Sequence, residues 1–347
     1  MNTRSPCIAA AVLMIAASSP SHAQRGGPPA AEGQAPAQPA VELKPAAKAH
    51  LEAARTAAGY DFPAPLSYCE NIIPGQHQFS WMGVGAIRQQ GGPWNAEPAP
   101  ARIFDNVYYL GVRTATAYAV NTPEGIVLFD SLNNETEART HIEDGLRKFG
   151  LDPARIKYIV MTHGHGDHYG GSKYLQEKYK PRVYMGGPDW DLVAKQSPVS
   201  TPERGAPPAR DMTVTDGMKL PGGIVLYLAP GHTPGTVDAI IPVTDNGRKH
   251  VAALHGGSGF NGFNGDPARY KQYAESNDRF IKFAASAGAD VPLSDHAEND
   301  MAIVKLDMLA RRKAGDPNPF VMGSDAVRRL FVAFAECSRA WEAQVTR

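Results

Sequence analysis

Ten residues, Thr162-His163-Gly164-His165-Gly166-Asp167-His168-Tyr169-Gly170-Gly171, constrain this chain more than any other stretch. Three imidazoles and a carboxylate fall within six positions, directly after an apolar run, Ile156 to Met161, that reads as a buried strand. Polar groups crowded at a strand end each need a partner, and no ordinary side-chain network supplies so many at once. A metal ion satisfies all four together, and imidazole nitrogens with a carboxylate oxygen suit zinc. The competing reading, a histidine-rich surface loop, is much the weaker. Gly164 and Gly166 are expected to allow the tight backbone that such crowding requires.

Two further strands end in histidines. Ile224 to Leu228 runs into Ala229-Pro230-Gly231-His232-Thr233-Pro234-Gly235, and Ala289 to Ser294 runs into Asp295-His296. Layered α/β folds gather their sites at the C-terminal ends of strands. Alone, His232 and His296 would read as loop histidines. Beside the first motif they complete two triads: His163, His165 and His232 for one zinc, and Asp167, His168 and His296 for a second. Each triad leaves coordination positions open, as a catalytic site does.

These motifs resemble the metallo-β-lactamase superfamily. The resemblance implies an α/β fold, the αββα sandwich, as a single catalytic domain with an N-terminal extension and a site of two Zn2+ at one edge of its sheets. Many di-zinc hydrolases of the superfamily carry a bridging aspartate on the strand between the last two histidine motifs. Here that strand, His250 to Gly259, has none, and no cysteine stands among the ligand motifs. What remains resembles the third metallo-β-lactamase subclass, and Pro93 to Pro100 followed by Asn106 to Gly111 looks like its opening segment. That likeness implies a β-lactamase opening the lactam amide with a hydroxide held between the zincs, with Asp167 both ligating and orienting it. Ser258 falls where this subclass often places serines that bind the substrate carboxylate. His255, at a strand end, is a second and weaker substrate-side candidate, set against an ordinary strand-end histidine. Tyr169, Trp94 and Phe260 could line the cleft or belong to the core. The alternative is an exported di-zinc hydrolase of the same fold acting on a lactone, ester or thioester. A bridging carboxylate from an unexpected segment, such as Asp266, would favour it. A non-catalytic binding module is the remaining reading, and a complete ligand set argues against it.

Residues 1–23 read as a signal peptide, with Arg4, the apolar core Cys7 to Ala17 and the cleavage site Ser21-His22-Ala23. The core is too short for a stable membrane anchor, so a periplasmic or secreted enzyme is expected, placed to destroy an antibiotic before it reaches its targets. With 35 basic and 35 acidic residues the chain gives no case for nucleic acid or a charged membrane surface. A small molecule is the expected partner, and oligomeric state is open. Beyond the signal only Cys69 and Cys337 remain, and two lone cysteines in an exported protein are expected to pair; two buried thiols are the other reading.

Residues 24–43, rich in Ala, Pro, Gly and Gln, read as a disordered linker. Residues 44–92 read as an extension containing a helix from Lys44 to Ala58, and 93–347 as the catalytic domain. Within it, strands are expected over Val107–Val112, Ala115–Asn121, Gly125–Phe129 and Arg182–Met185. Helices are expected over Glu135–Phe149, Ser172–Lys178, Tyr270–Ala287, Asn299–Lys313 and Asp325–Ala343.

Overall fold

The computed structural model describes residues 42–69 and 97–347. The expected signal peptide, all but the last two residues of the expected linker, residues 70–92 of the expected extension, and Trp94 lie outside the described residues.

Two sheets lie face to face. The first has seven strands in chain order: β1 (Ala101–Arg102), β2 (Val107–Tyr109), β3 (Tyr118–Thr122), β4 (Gly125–Phe129), β5 (Ile156–Val160), β6 (Arg182–Gly186) and β7 (Met212–Val214). Its first four strands are antiparallel and its last four parallel. The second sheet has β8 (Met218–Leu220), β9 (Ile224–Leu228), β10 (Val237–Asp245), β11 (Arg248–His255) and β12 (Val291–Ser294), antiparallel except for the parallel β11–β12 pair.

Alternation along each strand sorts the core into layers. Val127 and Phe129 face inward against Leu226, Ala239, Ile241, Ala252, Leu254 and Leu293 of the other sheet. Their neighbours Ile126 and Leu128 face outward, under Ala138, Ile142 and Leu146 of the helix that runs from Glu135 to Lys148. On the far side Ile240 and Ala253 lie beneath Phe280 of the helix Pro267–Ser286 and Phe331 of the helix Ser324–Val345. The order helix, sheet, sheet, helix is the expected αββα sandwich.

The expected helices recur with ends moved by a few residues. The helix from Glu135 is wound more loosely over Ala138–Glu143, with a π-type turn. Strands β7, β8 and β10 and the helix Gly187–Val193 had no reading in the sequence. The first two are three residues each, too short for a periodic pattern to register.

The helix Pro45–Ala58 opens on a proline, whose missing N–H costs nothing at a first turn. It buries Leu51, Ala54 and Ala58 against Leu330 and Phe334 of the last helix. Cys69 is disulfide-bonded to Cys337 of that helix, with Cα atoms 5.0 Å apart. No helix among the described residues is long and apolar enough to cross a membrane.

Candidate metal centre

The histidine motif begins where β5 ends and continues into one short helical turn, Gly166–Tyr169. His232 follows β9 and His296 follows β12, so the three segments meet at one edge of the sandwich. Ligand-capable atoms of His163, His165 and His232 lie within 4.8 Å of one another, as do those of Asp167, His168 and His296. The two expected triads are therefore brought together as sets. His232 Nε2 is 3.1 Å from His165 Nδ1, and the rings of His163 and His168, one from each set, are 4.0 Å apart.

Four of the five rings are oriented through their Nδ1 atoms. Nδ1 of His163 lies 2.8 Å from Gly256 O, that of His232 2.9 Å from Gly259 O, and that of His296 2.7 Å from Thr114 O. His168 Nδ1 lies 2.8 Å from Asp130 Oδ2. An Nδ1–H donating outward leaves Nε2 unprotonated and facing the site, the tautomer a metal requires. The Nε2 atoms of His163 and His168 are buried and have no hydrogen-bond partner. Orphaned buried nitrogens, aimed into a cluster of further donors, fit a metal ion.

The electrostatics agree. Burial, reinforced by neighbouring imidazoles, holds His163 well below the usual histidine range, and burial takes His165 to about 4 and His232 to about 3. These three are neutral at physiological pH. Burial works against charge on His168 too, but Asp130 and Asp167 outweigh it and push this histidine up to about 9. Burial also resists ionisation of Asp167, yet His168, His296 and Arg204 hold that carboxylate well below the usual range.

The sequence profile of the metallo-beta-lactamase superfamily matches residues 110–248. The FEZ-1 metallo-beta-lactamase from Legionella gormanii is 26% identical, superposes with a TM-score of 0.57, and is matched over 91% of its length by 67% of this chain. Residues 110–248 carry a metallo-β-lactamase superfamily domain. BJP-1, a subclass B3 metallo-beta-lactamase of Bradyrhizobium japonicum, shares the fold at 23% identity and a TM-score of 0.52, over 69% of this chain and 91% of its own. SMB-1, solved with mercaptoacetic acid, does so at 22% and 0.57, over 70% and 95%. The matched domain and the convergent histidine groups are those of a metal-binding hydrolase.

Three buried carboxylates beside the histidines were not among the candidates singled out in the sequence. Asp130, just after β4, has positive φ (59°) and is buried, and it binds Thr162 N, Thr162 Oγ1 and His168 Nδ1. Asp189 binds Gly164 N, Thr233 Oγ1 and Gly235 N, tying the first histidine loop to the His232 loop. Asp295 lies fully buried beside His163. Single acids at strand ends have no spacing to betray them.

Asp130→Asn is a sharp test of the orienting role. The amide keeps the bond from Thr162 N but can place an N–H against His168 Nδ1. That would reverse the tautomer and put a proton on Nε2. Metal affinity at the second triad is expected to fall about 10–100-fold, read by competition with a chromogenic chelator; unchanged affinity would exclude the role.

The fold also places the remaining candidates. Gly164 and Gly166 are not where close approach demands glycine: a Cβ at Gly170 would lie 1.8 Å from Asn133 O, and one at Gly171 2.3 Å from Ser131 O. His255 does not reach the cavity. The pleat puts it on the outer face with Ala253, and its ring stacks on Phe334 at 4.3 Å. Asp266 is no bridging carboxylate; it caps the helix Pro267–Ser286 by accepting from Ala268 N. Phe260 belongs to the core around Tyr270 and Tyr273. Tyr169 and Ser258 do line the cavity, which has a volume of about 610 Å³ and is also walled by Tyr68, Arg204 and Asn261.

Behind the site, Asp238 accepts from Gly256 N at 2.8 Å, and burial pushes its carboxyl up to about 8. A folded-state value above the unfolded one means stability is fully present near pH 4 and drains as pH rises towards 8. Asp238→Asn removes that loss. In metal-free protein its thermal advantage over the unaltered chain is expected to widen from pH 5 to pH 8, by at most about 1.4 kcal/mol per pH unit. A difference independent of pH would refute the buried-acid assignment.

Proposed function

We propose that this protein is a zinc-dependent hydrolase that opens the amide of β-lactams in the periplasm or outside the cell. The observation that carries the reading is the pair of convergent triads, with the Nε2 atoms of His163 and His168 buried and unpartnered, within a fold matched at 26% identity by a metallo-beta-lactamase. His163, His165 and His232 would hold one zinc, and Asp167, His168 and His296 the other. Bound zinc supplies a Lewis acid and lowers the pKa of water to around 7.

The chain's own residues do the rest. Asp167, ionised throughout the working pH range, accepts a hydrogen bond from the attacking water and orients it. Asp189 and Asp130 keep the histidine loops in register. Arg204, half exposed and 3.5 Å from Asp167, puts a positive charge at the cavity wall, where a β-lactam carboxylate could be received. The exported setting rests on the signal-like segment at residues 1–23.

Hydrolysis of a lactone, ester or thioester is the second reading, and the unexpected carboxylate of Asp295 beside the triads suits it. Purified protein, zinc-loaded and then chelated, should be tested on a chromogenic cephalosporin and a carbapenem. Turnover lost on chelation and restored by zinc is expected. Two bound zincs with negligible lactam turnover but hydrolysis of a lactone or thioester would replace the first reading with the second.

A further inference from the structure

We infer that Asp295 is a seventh metal donor, a carboxylate shared between the two triads; this rests on the di-zinc reading above. Strand β12 runs parallel to β11 with Ser294 beside His255, and Asp295 N donates to His255 O at 3.0 Å. Asp295 therefore stands one strand across from Gly256, at the end of the strand that lacks a bridging aspartate. Val291 and Leu293 face inward, so Asp295 has the inward parity, whereas His255 has the outward one. The carboxylate comes from the neighbouring strand.

Its two oxygens are treated differently. Oδ1 accepts from Ser258 Oγ at 2.6 Å and from Ser294 Oγ at 3.0 Å. Oδ2 is buried and has no hydrogen-bond partner. It lies 3.7 Å from His163 Nδ1, too far for a hydrogen bond, and that nitrogen is already engaged with Gly256 O. A ligand-capable oxygen of Asp295 lies within 4.8 Å of nitrogens on both His163 and His168, one from each triad. A fully buried carboxylate with one bare oxygen is costly unless a cation faces it. The serine bonds fix the carboxylate by Oδ1 and leave Oδ2 free to serve as its ligand atom beside His163 and His168.

Ser258 takes a different part as a result. It accepts from Asn299 Nδ2 at 2.7 Å and spends its only proton on Asp295. It is a positioning residue for the carboxylate, not a free donor for the substrate.

The test uses the full chain, loaded with zinc or with cobalt(II). Unaltered protein should bind two metals per chain. Asp295→Asn keeps an acceptor for Ser258 and Ser294 but removes the charge. Metal affinity, by chelator competition, is expected to fall at least about 10-fold, and the visible cobalt(II) bands to shift. Native affinity and native bands in this variant would overturn the inference while leaving the di-zinc reading intact. Fewer than two metals in the unaltered chain would overturn both. If Asp295→Asn does not fold, a zinc-loaded crystal structure of the unaltered protein decides: Oδ2 about 2.0–2.2 Å from a zinc supports the inference, and separation beyond bonding distance overturns it.

Discussion

Asp167→Asn is expected to leave the fold and thermal stability near native while lowering kcat by about 10²–10⁴-fold. Among the described residues the carboxylate's ion-pair partners belong to the site: His168 Nε2 at 3.7 Å from Oδ2 and Arg204 Nη1 at 3.5 Å from Oδ1. No backbone group or core network depends on it, so an amide of the same shape removes charge without opening a cavity. What goes is the ionised oxygen that His168, His296 and Arg204 stabilise against burial. An amide oxygen is a weaker ligand and a weaker acceptor for the proton of an attacking water. The pH profile gives a second readout. Since the Asp167 carboxyl sits well below the usual range, it is ionised at every pH where the protein is folded and metal-loaded. An acid limb in the unaltered protein must then come from a group other than Asp167: the histidines or a metal-bound water. The Asn variant should therefore be slower at all pH values without a moved acid limb. A native rate in the variant with both zincs bound would remove Asp167 from the mechanism.

The ligand set was legible because its chemistry repeats. Four donors in six residues have no cheap structural alternative, and two later strands ended in histidine. The layering was legible too, since runs such as Gly125–Phe129 and Ile224–Leu228 are apolar on both faces and must be covered on both. The supports were not. Asp130, Asp189 and Asp295 are single acids on separate segments, two just after strands and one in the helix Gly187–Val193, and only the fold shows that each faces a histidine loop. His255 was misplaced for want of a register: as a strand-end histidine it could face either way. Its parity, set by Ala252 and Leu254 facing inward, sends it to the Phe331 and Phe334 side. The same rule turns Asp295 inward from the next strand. The glycines were misjudged because the tight contact is with Ser131 and Asn133, residues far from the motif in sequence.

Opening the Cys69–Cys337 bond is expected to cost about 2–5 kcal/mol, a fall in Tm of roughly 5–10 °C. The bond closes a loop with a sequence separation of 268, so it removes much freedom from the unfolded chain. Cys69→Ala/Cys337→Ala avoids burying unpaired hydroxyls, and chemical reduction of the unaltered protein should reproduce its melting temperature. The effect should reach the site through the adjacent residue. Tyr68 lines the cavity, its hydroxyl donates to Asn299 Oδ1 at 3.2 Å, and Asn299 in turn donates to Ser258, which holds Asp295. Tyr68 is also held by Trp341 Nε1 donating to its carbonyl at 2.7 Å and by the rings of Phe260 and Phe334. If the bond fixes this wall, the double variant should raise KM several-fold while kcat, set at the metal end, changes little. A lower Tm with unchanged KM would mean that Trp341 and the aromatic cluster hold Tyr68 without help from the disulfide. A Tm within about a degree of native would mean that the packing of Leu51 and Ala54 on the last helix already fixes the N-terminal segment, and that the crosslink adds almost nothing.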